Sequence, residues 1–413
     1  MLDLRTWNGG LGSGAAVLVL ALGACGAESD QGLDLGPDAD LVEVLAEEVQ
    51  IVATSDALAM VLDMEVLPRG DVWVLNSIAP FFIGFDSTGA EIAVHGTEGG
   101  GPEEFPLPVG FVTGGLDDEV WVLDVRRHSL IQISNPDQPW SEIPLPRETI
   151  PPGSVAGGMD LLNPTVRTAR LGRRVILPRL PADRGEGIPG RIAAILKVDL
   201  VGLDPSGGSV EDLVLLRDVL DDPYVGFEAT AGGFPLWRRL WSVCGGDELA
   251  VYDREANVIR RFDAAGSQLE PLSLPPAQPT SVTPRQFARA VFGLRQAEAS
   301  GAVDGRLSPA DSARMLNEMI QEVRGTGPQL AAYLPRYVDF RCTDAGTLWL
   351  RPIDLEAGGM AGGPTWLRIE ADGQRSSVRF PERFDPLRFT ETRVWGVQRD
   401  LFDVGSIAWA ALP

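Results

Sequence analysis

Lysine is almost missing from this chain: Lys197 stands alone, and arginine supplies the rest of the 35 basic residues. Histidine occurs twice, as His95 and His128, in neither a metal-ligand spacing nor an evident partnership with a serine or cysteine nucleophile. Histidine-based metal centres and hydrolytic triads therefore have no support. No GxGxxG or GKS/T pattern opens a helix, so the run Gly99, Gly100, Gly101 reads as a backbone turn needing positive φ rather than a phosphate cradle. Basic residues are scarcest at the start: residues 1–150 carry 5 Lys and Arg against 25 Asp and Glu, the remainder 30 against 33. A formal charge of −23 repels nucleic acid and anionic lipid surfaces, which excludes a genomic or RNA-binding role.

Long apolar runs are also lacking. Ala15–Leu22 is too short to cross a bilayer, which takes about 20 residues. It is followed by Leu22, Gly23, Ala24 and Cys25, which resembles the lipobox of bacterial lipoproteins and implies lipidation of Cys25 after cleavage of a signal peptide over 1–25. Gly26 after the cysteine, under the rule of that family, implies sorting to an outer membrane. Residues 26–40, GAESDQGLDLGPDAD, are acidic and nearly free of bulky groups, so they read as a disordered tether. Only two cysteines then remain, Cys244 and Cys342. An oxidising compartment favours a bridge, but equivalent points on neighbouring strands can lie beyond the 7 Å or so that a disulfide spans, and both outcomes stay open.

The rest of the chain is a repeat whose template is GDVWVLNSIAPFFIGFDSTG, residues 70–89. An alternating strand, a polar loop and a second strand ending in an Asp/Gly turn make a hairpin. The first strand recurs at 118 (DEVWVLD), 173 (RRVILP), 247 (DELAVYD), 346 (GTLWLRP) and 392 (TRVWGVQ). Its tryptophan position holds Trp73, Trp121, Ile176, Ala250, Trp349 and Trp395, a pattern that suits packing between sheets. One apolar stretch precedes each first strand and another follows each turn, giving a four-stranded antiparallel unit. The sixth copy is cut short at the C-terminus, and Val49–Ala53 is an isolated strand without another partner. If Val49–Ala53 fills that edge, the repeats close into an all-β, six-bladed β-propeller with no bare edge.

The template, together with GTEGGGPEEF at 96–105, resembles bacterial six-bladed propeller lipoproteins related to NHL-repeat propellers. The resemblance covers 41–413 and implies a fold and an envelope address, with no particular activity. A helical insertion is expected over 275–337, between the fourth and fifth blades, where Thr283–Pro284 and Ser308–Pro309 are helix-start signals.

Long insertions and arginines gather on one predicted face. Arg126, Arg127, His128, Arg254, Arg351 and Arg399 fall in loops between the second and third strands of their units, and Arg238, Arg341 and Arg388 on first strands that line a propeller axis. Forked guanidinium donors suit carboxylate or phosphate, whereas Asp124, Asp253, Asp354 and Asp400 nearby offer internal pairing. No spacing singles out a metal-ligand set, although Asp63, Glu65, Asn163, Asp339 and Glu391 could be offered. The sequence reading is a monomeric, lipid-anchored envelope propeller that binds a protein, glycan or small anion, without cofactor or catalytic site. The alternative reading is a metal-dependent hydrolase or lyase acting on small sugar-like substrates in the channel.

Overall fold

The computed structural model describes residues 40–101, 103–114, 119–133, 140–145, 168–179, 199–203, 210–214, 241–253, 256–274, 283–286, 313–314, 316–318, 320–321, 336–353, 363–401 and 404–412. These residues are all-β in architecture, with only short helical pieces. β1 (Asp40–Glu43) and β2 (Val49–Ala53) precede the first repeat, which is β3 (Val61–Val66), β4 (Val72–Asn76), β5 (Phe82–Phe85) and β6 (Glu91–His95) in one meander. β7 (Pro108–Thr113), β8 (Trp121–Asp124), β9 (Ser129–Gln132) and β10 (Glu142–Pro144) form the next, and β11 (Thr168–Leu171), β12 (Arg174–Arg179), β13 (Asp199–Leu203) and β14 (Val210–Val214) the third. β15 (Trp241–Cys244), β16 (Glu248–Asp253), β17 (Val258–Asp263) and β18 (Leu272–Ser273) follow. After them come β19 (Tyr337–Cys342), β20 (Leu348–Pro352), β21 (Thr365–Ile369) and β22 (Arg375–Arg379), and finally β23 (Phe384–Phe389), β24 (Arg393–Arg399) and β25 (Gly405–Ala411).

Hydrogen bonding groups these strands into five sheets rather than six, because a two-residue parallel pairing of β7 with β11 (Thr168 opposite Val112, Ala169 opposite Thr113) fuses two meanders into one eight-stranded sheet. The first strands of the meanders follow one another around an axis. β3 lies beside β7, β11 beside β15, β15 beside β19, β19 beside β23, and β23 returns to β3. The architecture is that of a β-propeller.

Local chemistry explains the repeat. Asp86 accepts hydrogen bonds from the Thr88 and Ala90 amides at 2.8 and 3.0 Å and from the Thr88 hydroxyl, which hold its carboxyl below the usual carboxylate range. Asp263 makes the same turn, accepting from the Ala265 and Ser267 amides, while Glu370 holds that position in the fifth unit and Asp372, two residues on, accepts from the Gln374 amide. Gly89 completes the first turn at φ +86°, and a Cβ there would strike the Val52 carbonyl of β2. At the ends of β4, β8 and β16 a buried polar side chain, Asn76, Asp124 or Asp253, ties down neighbouring loops. Asn76 bonds Ala57, Ala59 and Pro80, and Asp124 accepts from the amides of Leu107 and Arg127. The tryptophans pack into the following sheet: Trp73 against Phe111 and Val122, Trp349 against Phe389, Trp395 against Met64 and Val74.

β2 pairs antiparallel with β25 and supplies the outer strand of the last sheet, with Val49 opposite Ala410 and Ala53 opposite Ile407. β1 is a surprise. It adds a fifth, parallel strand beyond β22, so the segment beginning at Asp40 is already structured where a tether had been expected to end. Cys244 and Cys342 are joined by a disulfide with Cα atoms 5.1 Å apart, linking β15 to β19. In the 275–337 segment, Thr283 and Gln286 form a reciprocal capping box around residues 284–286; Ser308 and Pro309 lie outside the described residues, as do Cys25 and residues 1–39.

Candidate functional site

The arginines expected to share one face separate into distinct settings. Arg127 pairs with Glu142 at 3.0 Å, not with Asp124, and donates to the carbonyls of Gly101 and Glu104 at 3.1 Å. It thereby pins the glycine loop, whose Gly101 amide donates to the Glu104 carboxylate. A Cβ at Gly99 (φ +154°) would collide with that carboxylate, so the glycine run is a turn. Arg126 is exposed beside it, and His128 closes the same turn at φ +59°. Arg351 donates to the Gly363 carbonyl, sits 5.5 Å over the Trp366 ring and lies 3.6 Å from Asp385. Arg399 and Arg341 also lie in the field of Asp385, whose carboxyl burial pushes up against their opposing pull. Arg238, Arg254 and Asn163 lie outside the described residues.

A second assembly forms deeper along the axis, and strand register creates it. In five of the first hairpins the residue facing the template tryptophan position falls at one register level: Glu65 opposite Trp73, Ala169 opposite Ile176, Ser242 opposite Ala250, Arg341 opposite Trp349 and Arg388 opposite Trp395. Two guanidiniums, a hydroxyl and a carboxylate thus meet around small Ala169. The guanidiniums and the hydroxyl border a small cavity of about 20 Å³, room for about one water, lined by Arg341, Arg388, Ser242 and Thr113 with Trp241, Leu387 and Phe389 as its apolar wall. Thr113, Cys342 and Phe389 are the last residues of their strands, which sets the cavity toward the turns between first and second strands.

Electrostatics mark this layer. Arg388 lies 3.5 Å from Glu65, and Arg341 lies 3.3 Å from Asp339. Glu65 is 3% exposed, and burial raises its carboxyl from the ordinary 4.5 to about 7, against the attraction of Arg388 and a hydrogen bond from the Gly114 amide; Asp63 and Asp344 add repulsion. Its Oε2 atom and the Nε atoms of Arg341 and Arg388 are buried without a hydrogen-bond partner among the described residues. A divalent cation does not fit here. Two guanidiniums face the layer, Asp63 accepts from the Phe111 amide at 2.8 Å, and no three carboxylate, histidine or cysteine groups converge among the described residues. Glu391 is spent on the Ala345 amide.

His95 is packed among the rings of Trp73, Phe82 and Trp140 at 5.6, 5.7 and 5.3 Å, and burial lowers its pKa. The aromatic residues that follow the glycine run draw it inward. Arg341, Arg388 and Glu65 were legible singly as axis-facing residues, whereas Ser242 and the convergence of the four were missed. The signal was present: Glu65, Ser242 and Arg341 each stand eight residues before the template position, and Arg388 seven.

No protein-family model matches the chain, and comparison with curated proteins finds no match. Among solved structures, it is similar to a virginiamycin B lyase from Staphylococcus aureus (10% identity, 88% of this chain and 98% of that one, TM-score 0.39). It is also similar to a gluconolactonase from Xanthomonas campestris (10%, 89% and 91%, 0.42) and to regucalcin, a calcium-binding protein, from Agrobacterium tumefaciens (9%, 90% and 95%, 0.43). The expectation of a chain without catalysis is withdrawn: two of these three propellers are enzymes by name, which is said of those proteins and not of this chain. The buried, near-neutral carboxyl among arginines on the axis is the physical feature that a binding-only reading passed over.

Proposed function

We propose that this chain is a six-bladed propeller enzyme, a hydrolase or lyase acting on a small molecule held in its axial channel. The six-blade count is supported by the succession of first strands around the axis, with the five-sheet grouping arising from the short β7–β11 pairing. The enzymatic reading rests on one observation: Arg341 and Arg388 converge at a small cavity on the axis, 3.5 Å separating Arg388 from a buried carboxyl that titrates near neutrality. Fixed guanidiniums stabilise negative charge that develops on a carbonyl or leaving oxygen, as ester hydrolysis and elimination both require. Glu65 acts through Arg388 as a positioning residue, because its charge state determines whether that guanidinium is free to meet a substrate. Lipid attachment at Cys25 would hold the domain at the cell envelope.

Turnover of a panel of small lactones and sugar acids by the full chain tests the reading. Arg388→Gln is expected to lower kcat/KM by roughly 100-fold, the range for loss of one charge-stabilising donor, while Arg126→Gln on the exposed rim leaves it unchanged. Equal rates in both variants would contradict it.

A further inference from the structure

We infer that the small axial cavity is a binding site for one monatomic anion, a halide such as chloride, held between Arg341 and Arg388. The ion takes donors that the enzymatic reading gives to a substrate oxygen, but its binding is measured without substrate, so either idea can fail alone.

Size and donor chemistry select this ligand. A cavity of about 20 Å³ has room for about one water, which excludes phosphate, sulfate and any ligand with a carbon skeleton. Its polar lining comes from four different first strands: Thr113 of β7, Ser242 of β15, Arg341 of β19 and Arg388 of β23. Each guanidinium has one acidic contact, 3.3 Å from Arg341 to Asp339 and 3.5 Å from Arg388 to Glu65, and both exceed the length of about 2.7–2.9 Å usual for a charge-assisted hydrogen bond. The Nε atoms of both arginines are buried without a hydrogen-bond partner among the described residues. Buried donors left unpaired are costly, so the space they border calls for an acceptor.

Water is the competitor for that space. It must donate two hydrogens as well as accept, whereas guanidinium N–H groups only donate and the side chains of Trp241, Leu387 and Phe389 on the other side offer no acceptor. Only the hydroxyls of Ser242 and Thr113 remain to accept from a water; toward an anion the same hydroxyls turn and donate. The acid facing Arg388 does not cancel its charge in mildly acid solution. Glu65 keeps its proton up to about pH 7, because burial outweighs the pull of Arg388 and the Gly114 amide, with Asp63 on its own strand and Asp344 in the turn after β19 adding repulsion.

The test is 35Cl NMR of the full chain at pH 6 in a sodium methanesulfonate background. Expected is chloride line broadening that saturates as chloride is added, resists sulfate at equal concentration and is unchanged in Arg126→Gln on the exposed rim. Affinity should fall at least tenfold in Arg341→Gln and in Arg388→Gln, the range for loss of a hydrogen bond to a charged group. Ser242→Val, whose added methyl groups fill the cavity, should abolish the broadening with both arginines in place. Thermal melting identifies any variant that fails to fold. Wild-type crystals grown in chloride then decide, since long-wavelength anomalous scattering separates chloride from water: a peak between the two guanidiniums supports the inference, and a water there overturns it. Broadening that never saturates, that sulfate removes, or that is equal in wild type and Arg388→Gln would also overturn it, as surface binding only; no broadening at all would mean a water only. Lactone turnover without chloride binding would overturn the inference and leave the enzymatic reading standing; chloride binding without turnover of any panel member would leave the inference standing and count against that reading.

Discussion

Replacing Glu65 by Gln should stabilise the protein at alkaline pH far more than at acid pH. In the folded chain the carboxyl titrates near 7, against 4.5 ordinarily, because burial disfavours its charged form more than Arg388 favours it. Between those values the folded state keeps a proton that the unfolded state has released, so stability falls as pH rises through this window and levels off above about 7. At about 1.4 kcal/mol per pKa unit, the wild type loses on the order of 3 kcal/mol between pH 5 and pH 8 through this group. Gln removes that titration. It also leaves Arg388 without its acid, a cost that is the same at both pH values once Arg388 is charged throughout, and that cancels in the difference. Urea unfolding of wild type and variant at pH 5 and 8 gives the double difference directly. A variant whose stability relative to wild type is the same at both pH values would refute the reasoning, and would return Glu65 to an ordinary ion pair.

Three further outcomes follow from the packing. Deleting residues 49–53 strips β2 from β25 and exposes the last sheet's edge, and should lower the melting temperature of the whole domain; unaltered melting would contradict strand closure. Trp349→Ala should cost about 3–5 kcal/mol by urea unfolding, because this fully buried ring packs on Phe389 at 4.7 Å between neighbouring sheets. Replacing Cys244 and Cys342 together by serine opens a loop with 98 residues of separation and should lower stability by about 4–5 kcal/mol on chain-entropy grounds; thiol titration of the unreduced wild type should find no free thiol from this pair. Cys25→Ser should release the chain from membrane fractions and abolish palmitate labelling.

Much of the fold was legible because its signals are local. The Asp-x-x-Gly turns, the alternating VWVL strands and the polar residue closing them each act within a few residues, so 70–89 served as a template for its copies. The unpaired VQIVA strand was readable as an edge filler for the complementary reason, that the sixth copy has no strand of its own. β1 was missed because DLVE is four residues of mixed polarity whose pairing with β22 depends on an edge more than 300 residues away. The site was harder still. Loop arginines attracted the reading through their number, but Arg127 is consumed by the glycine loop and Glu142, and Arg351 by the Gly363 carbonyl and Asp385. The axial layer arises only when register aligns Glu65, Ser242, Arg341 and Arg388 across separate hairpins, and the unusual property of Glu65 comes from burial that no neighbouring residue in sequence announces.

The central claim, that this axial layer carries the activity, is tested most directly by the pH profile of kcat/KM for the best substrate of the lactone and sugar-acid panel, in wild type and Glu65→Gln. The account predicts a wild-type profile that falls above about pH 7, reporting the free enzyme's Glu65, and a variant profile in which that fall is gone. Superimposable profiles in the two proteins would contradict it.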